Sequence, residues 1–163
     1  INSINREINM VEVNTNAFGK IAIEDDKIIR FEHGILGFPD LKDFTLIFNL
    51  EKGSESSIKW LQSLDEPNFA MPVMDPNLVV NEYIPMFDRE LLKPLGEDLV
   101  PENLLMLVTV TVPKDITQTT VNLKAPIIVN VEERKAVQLI SDDDAYSIKY
   151  AIYDKLKAKK AGE

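Results

Sequence analysis

A single histidine is the first residue in this sequence whose chemistry could serve a reaction. His33 stands between Glu32 and Gly34, in a segment with turn character. Nucleophilic catalysis needs a base beside a nucleophile, and a zinc site needs several nitrogen or sulfur ligands. Because the chain has one histidine and no cysteine, a thiol nucleophile and a cysteine zinc site are excluded. We interpret His33 as an exposed or hydrogen-bonded loop residue.

Clusters of acidic residues are the second candidate for chemistry. They fall at Glu24–Asp26, Glu97–Asp98, Glu132–Glu133 and Asp142–Asp144. A calcium loop needs alternating acidic ligands, a glycine and a terminal glutamate, and none of the clusters has that spacing. We interpret the first three as turn residues and the last as a helix start. The sequence therefore predicts no catalytic residue, no metal site and no cofactor.

The balance of charge argues against nucleic acid as a partner. The chain has 18 basic and 27 acidic side chains, and a net charge of −9 repels a phosphate backbone. Gly34–Gly37 matches the G-x-x-G loop of KH domains, but Glu32 and Asp40 flank it in a β context. The aromatic residues lack the interleaved basic residues of a base-stacking platform. The tail Lys155–Glu163, with four lysines and one glutamate, keeps single-strand binding as a minor alternative.

Short alternating segments must position these residues. Apolar side chains recur at every second position in six places, which is typical of strands: Ile21–Ile23, Phe44–Leu50, Val108–Val112, Val121–Leu123, Ile127–Val131 and Val137–Leu139. Glycines and prolines separate them. The pattern predicts a mainly β fold, a small antiparallel β-barrel-like domain with one short helix and a C-terminal helix.

Two helices accompany the predicted strands. Asp88 caps a short one that runs to Lys93, with Leu91 and Leu92 facing inward and Pro94 ending it. The second runs from about Ser141 toward Lys160. Its apolar stripe consists of Ala145, Ile148, Ile152 and Leu156.

The predicted organisation is one β domain over residues 10–150. A polar segment, residues 1–9, precedes it, and a helical basic extension, residues 151–163, follows it. Residues 1–9 lack the apolar core of a signal peptide, and no apolar run reaches the roughly 20 residues of a membrane span. We therefore expect a cytoplasmic protein without a membrane partner, and Met10 is a candidate native start.

Four segments of the sequence carry a family resemblance. They are Ile29–Phe38 (IRFEHGILGF), Phe69–Pro76 (FAMPVMDP), Thr120–Asn130 (TVNLKAPIIVN) and Tyr146–Ser147. The first resembles the R-F-x-x-G-x-x-G-F signature of the FliW flagellar assembly factors. The second resembles that family's strand ending in Asp-Pro, the third its N-L-x-A-P segment, and the fourth its Tyr-Ser pair. Leu36 departs from the pattern, since many relatives have proline there.

The resemblance implies a small β-barrel-like fold, no enzymatic activity and two protein partners. One partner is CsrA, a basic RNA-binding dimer that represses flagellin translation, and the other is flagellin. Family members remove CsrA from the messenger RNA, and flagellin competes for the FliW-like protein. The acidic body of the chain suits a basic partner. We expect a monomer when the protein is free.

The segments of the resemblance supply the candidate contact residues. They are Phe31, Glu32, Phe38, Asp75, Pro76, Asn122 and Pro126. The competing interpretation is that the glycines and prolines set turns while the phenylalanines fill the core. For Phe31 and Phe38 the sequence weights both interpretations equally, because period does not separate buried from exposed aromatics in a turn.

Three other functional classes remain beside the CsrA antagonist. A flagellin-binding chaperone without CsrA antagonism is the main alternative. A small β-barrel enzyme acting through acidic residues is disfavoured, because nothing in the sequence assembles a nucleophile, a base and an oxyanion site. The single-strand binder is disfavoured by charge.

Overall fold

The structure, a computed structural model, describes residues 9–48 and 57–161. Its strands are β1 (Met10–Thr15), β2 (Gly19–Glu24), β3 (Ile28–Phe31), β4 (Asp43–Phe48), β5 (Ile58–Ser63), β6 (Ala70–Met74), β7 (Leu104–Thr111), β8 (Thr120–Val121), β9 (Ile127–Asn130), β10 (Lys135–Gln138) and β11 (Tyr150–Ala151). One α-helix, α1, spans Tyr153–Ala161. Short 3₁₀ helices lie at Asp25–Lys27, Pro76–Leu78, Arg89–Leu95, Pro101–Asn103 and Ile116–Gln118.

Seven of these strands close into a barrel. β3 to β7 are sequential antiparallel neighbours, β7 also pairs with β9, and β10 joins β9 to β3. The predicted mainly β, barrel-like fold is confirmed. It departs from the antiparallel pattern at one place, since β10 runs parallel to β3 with Lys135 opposite Arg30. Most of the chain separates these two strands, so no tight turn forces them to be antiparallel.

The barrel interior is filled by the side chains that the alternating patterns place on one face. Phe31, Phe44, Leu61, Leu107 and others form one buried cluster. The rings of Phe31 and Phe44 meet edge to face with centroids 5.1 Å apart. In β4 the predicted alternation is confirmed for Phe44, with Leu46 packed beside this cluster, while Phe48 at the strand end is exposed.

A second core lies on the outer face of β7. Val108 and Val110 point into it, whereas Leu107 points into the barrel, so this strand is buried on both faces. The second core also contains Tyr83 and Ile152. The clean valine–threonine alternation therefore marks the strand correctly, but its valines face the segments packed outside the barrel.

The predicted C-terminal helix is confirmed only in its second half, as α1. Its predicted start near Ser141 is wrong. The Ser141 hydroxyl accepts a hydrogen bond from the Met86 N–H at 3.3 Å, so it joins two segments and caps no helix. The Ser147 carbonyl accepts from the Leu123 N–H at 2.9 Å. The second of these long-range bonds takes a main-chain carbonyl that a local helix would have paired.

The apolar stripe predicted for that helix divides in the same way. Ile152 is fully buried and Leu156 packs against the second core. Ala145 and Ile148 lie in turns and are exposed. The helical spacing of apolar residues over this stretch therefore predicts a helix correctly only after Ile152.

The short helix predicted at Asp88–Lys93 exists as a 3₁₀ helix, Arg89–Leu95. Asp88 caps it as expected, because its carboxylate accepts the Glu90 N–H at 3.1 Å. Two details are wrong: Pro94 lies inside the helix, and Leu91 is exposed. A 3₁₀ helix uses i to i+3 bonds, so its inward face differs from the α-helical one, and Leu92 and Leu95 pack inward.

Several sequence predictions fall outside the described residues or remain untested. Leu50, residues 1–8 and the side chains of Lys159 and Lys160 are not among the described groups. The domain boundary at residue 150 stays a prediction, and the residues on either side of it together form β11. Within the described residues, no helix has the length and apolarity that crossing a membrane requires.

Candidate partner-binding groove

The loop after β3 is built around two glycines with left-handed backbone. Phe31 ends β3 inside the barrel, and its carbonyl accepts the Gly34 N–H at 3.0 Å. Ile35 and Phe38 then exchange two main-chain hydrogen bonds of 3.3 and 2.9 Å across Gly37, whose φ is +86°. A positive φ at this turn position suits glycine. The loop thereby turns Phe38 outward.

The second segment of the resemblance forms β6 and the turn after it. β6 pairs with β5 along its whole length, but with β7 only at Val73 and Met74. Pro72 stands where the ladder to β7 ends, and proline has no N–H to continue it. At the other end, the Asp75 carboxylate accepts the Asn77 N–H at 2.9 Å and starts the next turn.

The third segment forms the turn between β8 and β9. The Asn122 side-chain oxygen accepts the N–H groups of Lys124 and Ala125 at 3.0 and 3.1 Å. Its own N–H donates to the Thr109 carbonyl of β7 at 3.0 Å. Pro126 is buried immediately before β9. Asn122 therefore shapes this turn and attaches it to β7.

One side chain connects the first segment to the third. The Gln138 side chain, at the end of β10, accepts the Leu36 N–H at 3.0 Å and donates to the Ala125 carbonyl at 3.1 Å. A side-chain amide carries an acceptor oxygen and a donor NH₂ group, so it makes both bonds at once. Gln138 thus holds the loop after β3 against the β8–β9 turn.

We expect Gln138→Ala to lower the free energy of unfolding by about 1–2 kcal/mol, because two hydrogen bonds are lost and one of them is only partly exposed. Urea denaturation measures this change. Gln118→Ala is the control, since that side chain is exposed and joins no two segments of the fold. A Gln138 variant as stable as the control would show that the connection contributes nothing.

The three segments meet at one groove where β6 and β7 separate. Its volume is about 390 Å³. It is lined by uncharged residues: Leu36, Phe38, Phe69, Ala70, Met71, Pro72, Thr109, Val110, Thr111, Asn122 and Gln138. Phe38 is 47% exposed and leans on Phe69 with ring centroids 4.7 Å apart. A half-exposed aromatic pair over an open strand edge is a surface suited to a protein segment.

The comparisons with known proteins agree on one family. A family model described as "FliW protein" matches residues 12–152. The chain belongs to the FliW family. A flagellar assembly factor FliW from Lachnospira eligens is 48% identical over 147 residues, 90% of this chain and 97% of the relative. Another from Lachnoclostridium phytofermentans is 44% identical over 148 residues, 90% of this chain and 94% of the relative.

The FliW fold is confirmed by a solved structure as well. A crystal structure of a flagellar assembly factor FliW superposes with a TM-score of 0.78 at 30% sequence identity. It covers 88% of this chain and 97% of the other. The recognition of the FliW resemblance in the sequence is thereby confirmed over nearly the whole β domain.

The structure sorts the seven candidate contact residues by their access to solvent. The side chains of Glu32 and Phe38 are exposed. Asp75 and Asn122 are half-buried and are engaged in turn hydrogen bonds. Three others, Phe31, Pro76 and Pro126, are buried, which is the packing role of the competing interpretation. The contact role of the seven residues stays a prediction.

Only two of the seven line the FliW groove, namely Phe38 and Asn122. Asp75 and Pro76 lie past the opposite end of β6. Sequence reasoning missed Gln138, whose role depends on groups 102 and 13 residues away. A lone glutamine in an alternating strand gives no signal of that kind. Phe69 begins the second segment of the resemblance, but the sequence gives no direction for its ring.

The Leu36 departure from the FliW pattern has a structural consequence. Its N–H is the group that donates to Gln138. Proline at this position removes that N–H while fixing φ for the turn. In this chain the loop is therefore held by a hydrogen bond that a proline at this position could not donate.

The loop position of His33 and the positions of the acidic clusters agree with the sequence interpretation, apart from Glu24, which ends β2, and apart from one whole cluster. His33 is an exposed loop residue beside a cleft of about 370 Å³ that Glu32, Glu90 and Lys93 also line. Among the described residues, no three acidic or histidine side chains are grouped to hold a metal ion. The exception is Asp142–Asp144, which begins no helix. Instead the Asp143 carboxylate accepts the Ala145 N–H at 2.9 Å in a turn.

The Tyr-Ser pair of FliW serves packing. The rings of Tyr146 and Tyr83 meet edge to face with centroids 4.7 Å apart. The Tyr146 hydroxyl accepts the Ile84 N–H at 2.9 Å, and the Tyr83 hydroxyl donates to the Leu123 carbonyl. Tyr83 therefore attaches the segment around Ile84 to the β8–β9 turn, and Tyr146 attaches the same segment to the chain before β11.

We expect the wild-type chain to lose stability above about pH 10, the usual tyrosine range, and Tyr83→Phe to lose less. Burial raises the pKa of Tyr83 above its ordinary value, and the neighbouring Tyr146 raises it further. The unfolded chain therefore ionises this phenol first, so stability present below that pH is lost as pH rises. Urea midpoints at pH 8 and pH 11 measure it. Equal pH slopes for wild type and Tyr83→Phe would contradict the expectation.

Proposed function

We propose that this chain is a regulatory flagellar assembly protein that binds the translational repressor CsrA and relieves repression of flagellin messenger RNA. Flagellin in turn sequesters it, so free flagellin restores repression. Membership of the FliW family and relatives named flagellar assembly factors support this role. The proposed protein is cytoplasmic, monomeric when free and not an enzyme, and it contacts neither nucleic acid nor membrane.

The observation that carries the proposal is the meeting of three distant sequence segments at one uncharged groove. Residues that only shaped the fold would not need to leave an aromatic side chain half-exposed at their junction. Leu36 and Phe38 project there above the open edge of β6. We infer that the groove takes an uncharged segment of flagellin, since it offers apolar surface and main-chain groups but no charge.

Charge supports a different contact for CsrA. The chain has a net charge of −9, and a basic dimer is attracted to such a surface. Long-range attraction of this kind is screened within about 8–10 Å at physiological salt. CsrA binding is therefore expected to weaken as salt rises, whereas flagellin binding at the uncharged groove is expected to change little.

Calorimetric titration of the purified chain with CsrA and, separately, with flagellin tests this function. Each titration is made at low and at high salt. Tight CsrA binding that weakens with salt, together with flagellin binding that does not, is the expected result. No binding of either protein at low salt would overturn the proposed function.

The main alternative is a flagellin-binding chaperone without CsrA antagonism. The observation that favours it is the groove itself, which suits an uncharged segment and needs no CsrA. Retained flagellin binding with no heat of CsrA binding at either salt would select this alternative.

A further inference from the structure

A stripe of exposed apolar side chains lies away from the groove. It consists of Ile84, Met86, Ile140 and Ile148, and we refer to it as the Met86 stripe. Their exposed fractions run from 55% to 65%, among the highest for large apolar residues in the described chain. Single exposed apolar residues are ordinary, but a contiguous set marks an interaction site.

Hydrogen bonds hold together the two segments that carry the Met86 stripe. The Asp142 N–H donates to the Met86 carbonyl at 3.0 Å, so the segment that follows Ile140 meets the segment of Met86. The Tyr146 hydroxyl accepts the Ile84 N–H, so the segment that carries Ile148 meets the segment of Ile84. Along the segment around Met86, Tyr83 is buried and Phe87 packs inward, so the residues between them point outward in alternation. The stripe is therefore a fixed surface of the fold.

The surroundings of the stripe are acidic. Its two segments, residues 82–89 and 140–149, contain five acidic and two basic side chains. Glu82 and Asp88 flank one segment, and Asp142 and Asp144 lie along the other, all four exposed. The Asp144 carboxylate also meets Lys124 at 3.1 Å. An apolar stripe with carboxylates along both sides complements a segment that carries apolar anchors flanked by lysine or arginine.

The geometry points to the Met86 stripe as the docking surface for a basic, amphipathic segment of a protein partner. This inference rests on the proposed function, where the basic partner is CsrA, and it assigns CsrA to a surface other than the flagellin groove. The two surfaces adjoin the same turn: Asn122 lines the groove, and the Lys124 carbonyl accepts the Ser141 N–H at 2.7 Å beside the stripe. A partner bound at one surface therefore lies close to a turn that also borders the other surface.

Charge also decides against other occupants of the stripe. A second copy of this chain would place the same carboxylates face to face, and like charges across an interface are repulsive. Anionic lipid is repelled in the same way. A basic protein segment is the occupant that both the apolar anchors and the acidic rim favour.

A matched pair of double variants tests the inference with CsrA. Ile84→Ser with Met86→Ser removes two anchors of the stripe, and Val100→Ser with Val131→Ser removes two exposed aliphatic residues elsewhere. All four side chains are at least 43% exposed, so both variants are expected to fold. We expect the stripe variant to bind CsrA at least about tenfold more weakly and the control to bind as wild type does. Equal affinities for the two variants would overturn the inference.

A peptide separates failure of the inference from failure of the proposed function. If the wild type binds no CsrA, the probe is a lysine–leucine peptide of about 14 residues with apolar spacing i, i+3, i+4 and i+7. Amide NMR shifts centred on Ile84, Met86, Ile140 and Ile148, absent with a glutamate–leucine peptide, uphold the stripe. If the peptide shifts the amide signals of other residues, or shifts none, the inference that the stripe is a docking surface is overturned. Wild-type self-association that the stripe variant abolishes would also overturn it, by assigning the surface to a second copy.

Discussion

Replacement of Gly34 by alanine is expected to lower the free energy of unfolding by about 4 kcal/mol. Gly34 has a φ of +67°, which costs an L side chain energy by itself. An added Cβ would also stand 2.5 Å from the Pro39 carbonyl oxygen and 2.6 Å from that of Phe38. Both are main-chain atoms, so neither moves without opening the loop. Chemical denaturation of the variant measures the loss.

Gly37 is the matched control for this prediction, because it lies in the same loop. Its φ is +86°, but an added Cβ meets no atom within 4 Å. Gly37→Ala is therefore expected to lower the free energy of unfolding by about 1–2 kcal/mol, which is the cost of a left-handed backbone for an L side chain. Equal losses for the two variants would show that the close approach at Gly34 is relieved by movement of the loop.

Phe31→Ala is expected to lower the free energy of unfolding by about 3–5 kcal/mol, as other large-to-small core changes do. The Phe31 ring is fully buried and packs edge to face on Phe44. Its removal leaves a cavity in the centre of the barrel that the closed ring of strands prevents from collapsing. Urea denaturation followed by the fluorescence of Trp60 measures this loss.

Phe38→Ala is the control, since it removes the same kind of side chain from the loop that follows β3. Phe38 is half-exposed and rests on Phe69, so its loss is expected to cost less than about 1 kcal/mol. A cost as large as that of Phe31→Ala would place Phe38 in the core and remove it as a contact residue.

The parts of the fold that follow local rules are those that the sequence predicts. Alternation locates β4 and β7. Long-range main-chain bonds decide the rest. The stretch after Ser141 has helical spacing and a capping serine, yet the partners of Ser141 and Ser147 lie 55 and 24 residues away. No local pattern contains those partners.

The candidate site shows the same division. The sequence locates the loop of Phe38 and the turn of Asn122, because turn chemistry is local. It does not show that Phe31 points inward and Phe38 outward, since that depends on where β3 ends. Nor does it show the groove, which exists because Pro72 ends the ladder between β6 and β7. The pairing that brings these residues together becomes visible only in three dimensions.

The measurement that tests the proposed partner switch most directly is a titration of flagellin into the preformed complex of this chain with CsrA. The account predicts that flagellin lowers the affinity for CsrA at least about tenfold, a coupling of about 1.4 kcal/mol. It also predicts that Phe38→Ala reduces this effect, while Phe48→Ala, which removes another exposed phenylalanine, leaves it unchanged. A complex that binds flagellin and keeps its full affinity for CsrA would contradict the account.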